Sequence, residues 1–116
     1  MTIHTNATNT TGNNNVAVGR EALRNNTTSG NTALGHNSLY ANTTGNSNIA
    51  VGYQAAYTNS TGTFLTAVGT QALYTNTAGF NAAFGHQTLY SNTTGTNNVA
   101  IGGPSSGPQN PTLYSN

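Results

Sequence analysis

The chain has no cysteine, no tryptophan and no lysine, and only three charged side chains in 116 residues: Arg20, Glu21 and Arg24. Without cysteine, neither a disulfide framework nor a thiolate metal site can form. Two arginines make no basic surface that could neutralise a phosphate backbone, so nucleic acid is not an expected partner. Glu21 is the sole carboxylate side chain, which leaves no acid pair, no carboxylate-supported triad and no cage for a hard cation. Neither enzymatic activity nor a cofactor is expected. The longest apolar runs are a few residues, too short for a membrane-spanning helix, and no membrane insertion is expected. Residues 1–10, MTIHTNATNT, lack the charged and apolar regions of an export signal.

What remains is Thr, Asn, Gly and Ser, with 34% hydrophobic residues, many of them alanine. A compact globule of this composition would have a thin core, and a disordered chain is the alternative that composition alone allows. The placement of the apolar residues argues against disorder. A triplet of Ala, a large apolar residue and Gly ends at Gly19, Gly35, Gly52, Gly69, Gly85 and Gly102, at intervals of 16 or 17 residues. Three intervals make a unit of fifty, so LYANTTGNSNIAVG at 39–52 returns as LYSNTTGTNNVAIG at 89–102.

Each unit runs from Thr-Gly, or from Ser29-Gly30 and Ala78-Gly79 in two of them, through an apolar triplet to a second apolar run, such as Ala55-Ala56-Tyr57, and back through an Asn-rich stretch. Frequent Gly, β-branched residues and Asn-Thr-Thr-Gly clusters exclude helix. The spacing predicts an all-β chain: a parallel β-solenoid, a β-roll or β-helix, of about six 16–17-residue coils, each reading strand, turn, strand, turn. Asn42, Asn59, Asn76 and Asn92 would then form a ladder of side-chain amides, which accounts for the polar composition without a ligand. Neighbouring strand residues point to opposite faces. Val18, Leu34, Val51, Val68, Phe84 and Ile101 are therefore expected to fill the core. Ala17, Ala33, Ala50, Ala67, Ala83 and Ala100 are expected to form a stripe for close approach of another copy. A stripe of Tyr40, Tyr57, Tyr74 and Tyr90 would cover the seams, and a homotrimer is the expected assembly.

NNNVAVGREALRNNTTSGNTALG (13–35) and NSNIAVGYQAAYTNSTG (46–62) resemble the repeats of YadA-type trimeric autotransporter adhesin heads. They resemble more closely the Ala-Val-Gly repeats of phage and bacterial tail-fibre proteins. The resemblance covers residues 11–103 and implies a trimeric parallel β-roll on an extracellular fibre that binds a host surface. The units are longer than the adhesin-head repeat, so hand and cross-section stay open. No stretch resembles the adhesins' membrane anchor or the C-terminal chaperone of some tail fibres.

The reading divides the chain into an N-terminal connector or degenerate coil (1–10), the repeat domain (11–103) and a Pro-rich extension with a partial repeat (104–116). Because the extension resumes the repeat at TLYSN and stops, Ile3, Leu113 and Tyr114 are candidate subunit connectors, completing a neighbour's sheet by strand addition. A fragment of a longer fibre fits the same observation. His36 and His86 sit three coils apart, roughly 14 Å by strand spacing, too far to share a metal within one chain. Asn6, Asn9, Asn25, Asn26, Asn42, Asn59 and Asn92 begin Asn-x-Thr sequons, although Asn-Thr-Thr-Gly is also a good turn, the favoured reading. The expected function is that of a non-enzymatic structural subunit of a filament, tail-fibre shaft or adhesin head, located outside the cell, at its surface or on a virion. Its expected partner is itself, as a trimer or head-to-tail filament. The alternatives are a surface adhesin that takes a host receptor or glycan, and an ice-binding solenoid using threonines such as Thr43 and Thr93.

Overall fold

The computed structural model describes residues 11–103 and the backbone of 114–115. Six three-residue strands stack in chain order: β1 (Val16–Val18), β2 (Thr32–Leu34), β3 (Ile49–Val51), β4 (Thr66–Val68), β5 (Ala82–Phe84) and β6 (Val99–Ile101). All five pairings among them are parallel and in register, Ala17 beside Ala33, Ala33 beside Ala50, and so on to Ala100. Each strand is one full turn of chain from the next, so the described residues form a β-solenoid and contain no helix. The strands can be this short because each of β2 to β6 is held on both edges: around β2, the Thr32 amide donates to Asn48 and the Gly35 amide to Val18.

The second side of each coil departs from the expected strand. Leu23, Leu39, Ala56, Leu73 and Leu89 stand at φ between 50° and 53°, and the polar residue two places before each is also left-handed, as at Gln54 and Gln71. Left-handed φ costs an L-residue about 1–2 kcal/mol, and it persists where the surroundings over-determine it. Here the alternation turns successive amides in opposite directions. The Gln54 N–H donates back to His36 in the preceding coil, and the Ala56 N–H donates forward to Ala72 in the following one. It also turns the Leu column inward.

That inward column sets the thickness of the coil and reverses one expectation. Ala33, Ala50, Ala67, Ala83 and Ala100 point into the coil and are buried, against Ala22, Ala55, Ala72, Leu23, Leu39 and Leu73. Ala17, in the first coil, is partly buried against the same cluster. The residues expected in the core lie on the outside: Leu34, Phe84 and Ile101 are exposed, and Val18, Val51 and Val68 are half-buried. With leucines opposite, the interior has room for a methyl group on the strand side and not for a larger side chain. The five alanines from Ala33 to Ala100, being enclosed, cannot be the surface another copy touches.

Two columns of asparagine bind the coils where apolar filling is thin. In the turn before each unit's opening glycine, Asn42 Nδ2 donates to Asn26 Oδ1 at 2.7 Å and Asn92 Nδ2 to Asn76 Oδ1 at 2.9 Å; the link from Asn59 to Asn42 is longer, 3.3 Å. Just before the strands a second column donates through the backbone: Asn15 Oδ1 accepts from Asn31 N–H, Asn31 Oδ1 from Asn48 N–H, and Asn48 Oδ1 from Leu65 N–H. Asn31 Nδ2 joins the two columns by donating to Asn26 Oδ1 at 3.0 Å. At the turn after β3, Gly52 has φ 133°, and a Cβ there would meet the Gly69 carbonyl oxygen at 2.6 Å, so only glycine lets the coils stack this closely.

The final strand, β7 (Tyr114–Ser115), lies antiparallel on β6, Val99 beside Ser115 and Ala100 beside Tyr114. Tyr114, a candidate connector to a neighbour, thus pairs with its own chain. Ile3 and Leu113 lie outside the described residues.

Candidate functional site: an apolar sheet face and its flanking ladders

Because alanine occupies the middle of every strand and points inward, the residues on either side of it point outward together. Two columns result: Val16, Thr32, Ile49, Thr66, Ala82 and Val99, then Val18, Leu34, Val51, Val68, Phe84 and Ile101. Neither contains a charged or acidic side chain. Val16, Leu34, Ile49, Phe84, Val99 and Ile101 are all exposed, from 39% to 54% of their surface. Just before β4 and β5, Phe64 and Phe80 stack on each other with centroids 5.3 Å apart and are also exposed. A contiguous exposed apolar face of this kind marks an interaction surface more often than chance.

On the other side of the coil, Tyr40, Tyr57, Tyr74 and Tyr90 form the expected stripe, as a continuous stack with centroid separations of 5.1, 5.2 and 4.9 Å and planes within 13°. Arg24 takes the same position in the first coil, its guanidinium 5.6 Å from the Tyr40 centroid and bonded to the Tyr40 hydroxyl at 3.2 Å. Glu21 holds Arg24 at 3.0 Å, so the pair closes the end of the stack. Burial pushes the Tyr74 phenol above its usual pKa, and the neighbouring Tyr90, Tyr57 and Tyr53 add to the shift. A third ladder went unforeseen: Gln87 Nε2 donates to Gln71 at 2.8 Å and Gln71 Nε2 to Gln54 at 3.0 Å. The repeated Glu, Asn or Gln two residues after each turn glycine from Gly19 to Gly85 was its sequence signal. Asn37, one methylene short, leaves the series incomplete, and its buried Oδ1 has no partner among the described residues.

The remaining candidates are structural. Asn26, Asn42 and Asn59 are buried with their amide nitrogens bonded inside the coil, Asn26 to the Thr28 carbonyl at 2.7 Å and Asn59 to that of Gly62 at 3.0 Å. A glycan on any of these nitrogens would have to occupy the interior, so the folded coil excludes them as glycosylation sites. Asn25 and Asn92 are half-buried and donate to Tyr40 and to Asn76 and Gly95; Asn6 and Asn9 lie outside the described residues. The Thr27, Thr43 and Thr77 hydroxyls donate to carbonyls of the next coil, Thr43 to Ser60 at 3.0 Å. These hydroxyl protons serve coil stacking. His36 stacks on Tyr53 at 5.5 Å, and no group of three His, Cys, Asp or Glu gathers among the described residues. Nor is any helix among them long and apolar enough to cross a membrane.

Comparison with protein-family models, with curated proteins and with solved structures found no match.

Proposed function

We propose that this protein is a non-enzymatic structural subunit of an extracellular fibre, a filament, tail-fibre shaft or adhesin head, and that three copies pack their sheet faces around a common axis. The observation that carries the reading is the outward apolar columns from Val16 to Ile101, exposed on a chain with almost no charge elsewhere. A second copy is the fitting occupant. The face repeats at the coil spacing, about 4.8 Å, so a copy placed beside it in register meets each large residue with another, coil for coil. A face without charge also offers nothing to steer an unlike partner.

The test is the mass of the full chain in solution. Sedimentation equilibrium is expected to give three times the chain mass of 11.9 kDa. A variant carrying Ile49→Lys and Ile101→Lys should sediment as a monomer while keeping a β-type circular dichroism spectrum. A monomeric parent chain, or a variant that stays trimeric, would overturn the proposal.

A further inference from the structure

We infer that the tyrosine ladder is a site of oxidative modification, at which consecutive coils become covalently stapled by dityrosine bonds. Four phenols are stacked at 4.9 to 5.2 Å between centroids with their planes nearly parallel, and all four are half-buried, so each keeps part of its surface open to a diffusing oxidant. The usual sinks for oxidising equivalents are missing. There is no cysteine and no tryptophan, and the only methionine is Met1. An oxidant that meets this surface finds phenols and little else.

The chemistry balances with a one-electron oxidant such as a haem peroxidase supplied with hydrogen peroxide. Two phenols each lose one electron to the oxidant and one proton to water. The two phenoxyl radicals join through ring carbons ortho to the hydroxyls, and each joined carbon gives up its hydrogen as the ring regains aromaticity and the hydroxyl re-forms. The product is two hydrogens lighter, with one new carbon–carbon bond between adjacent coils. The stack makes the coupling intramolecular, since a radical formed on Tyr74 already has Tyr57 and Tyr90 in contact. The inference is independent of the trimer, because the ladder lies across the coil from the sheet face.

The experiment compares two variants with equal numbers of tyrosines. Tyr57→Phe with Tyr90→Phe leaves ladder tyrosines only at 40 and 74, roughly 10 Å apart by coil spacing. Tyr40→Phe with Tyr57→Phe leaves the neighbours Tyr74 and Tyr90. Phenylalanine keeps the ring stack in both. After treatment with peroxidase and hydrogen peroxide, dityrosine fluorescence is read in the monomer band of a denaturing gel, and linked peptides are mapped by mass. The adjacent pair should retain the cross-link and the separated pair should lose it by about ten-fold or more, as expected when proximity controls the step. The parent chain unfolded in guanidinium and treated identically should lose the preference for neighbouring tyrosines. Equal yields in the two variants, or bonds found only between chains, would overturn the inference.

Discussion

At the scale of the residue, stability here rests on amides whose partners are buried. Asn48 shows this most plainly: its Oδ1 accepts from the Leu65 amide at 2.9 Å and its Nδ2 donates to the Gly62 carbonyl at 2.8 Å. Asn48→Leu strands the Leu65 N–H inside the coil, at about 1–3 kcal/mol, and leaves the Gly62 carbonyl only its bond from Asn59. Leu65→Asn is the reverse change, setting an amide between the Asn48 and Asn81 rungs with the Ala78 carbonyl in reach, and should cost less. Chemical denaturation of the two variants checks the order, and an equal or inverted order would count against the ladder as the main tie. Asn37 offers a gain. Asn37→Gln supplies the missing methylene and extends the Gln54, Gln71, Gln87 series towards Glu21, which should stabilise the fold by about 1 kcal/mol. Its thermal midpoint should rise; an unchanged or lower one would speak against it.

At the scale of the element, the coil tolerates both 16- and 17-residue units because the difference lies in one turn. Asn26 and Asn31 are separated by four residues, and Asn42 and Asn48 by five, yet both pairs keep their places in the asparagine columns. The extra residue is absorbed outside the hydrogen-bonded ladder. The tyrosine stack is an element in its own right and gives the fold a pH dependence. A phenol whose folded pKa is raised, as at Tyr74, stays protonated longer in the folded than in the unfolded chain. Its contribution is therefore complete below the ordinary tyrosine pKa of about 10 and is lost as pH rises through the folded value. Stability measured by denaturation should fall through this alkaline range, and Tyr74→Phe should flatten the fall; an unaltered slope would remove the stack as its cause. At the other end, β7 covers the β6 edge that an unpaired strand would offer to another chain. Deleting residues 104–116 is expected to increase end-to-end association, read by light scattering and electron microscopy. A loss of filaments on deletion would instead assign the arm to joining subunits.

At the scale of the whole molecule, coils touch only their neighbours, so the chain should behave as a stack whose stability sums over coils and interfaces. Joining Leu39 directly to Tyr90 removes one fifty-residue unit between equivalent positions and leaves each remaining coil a matching neighbour. The shortened chain should keep its β-type spectrum and unfold at a lower temperature, with a denaturant m-value reduced roughly in proportion to the coils removed. Collapse to a random coil would show that the six rungs form one indivisible unit. All three charged residues fall in the first described coil, at Arg20, Glu21 and Arg24. There the Arg24–Glu21 pair ends the tyrosine stack without interrupting it.

The period was legible in the chain because a stacked coil places identical residues over one another: repeated Gly, Asn, Ala and Tyr at 16 or 17 residues announced the solenoid, the asparagine column and the tyrosine stripe. The alternation of Ala with a large residue also showed that the two point to opposite faces. It did not show which face is inside, because strand alternation is symmetric between the two choices. That was decided in three dimensions, by left-handed residues such as Leu39 and Leu73 turning inward on the opposite side and leaving the strand side room for a methyl group. The same packing buried Asn26, Asn42 and Asn59 and pushed Leu34, Phe84 and Ile101 outward. The direction of β7 was likewise a tertiary matter, since a partial repeat can join a sheet either way along its last edge.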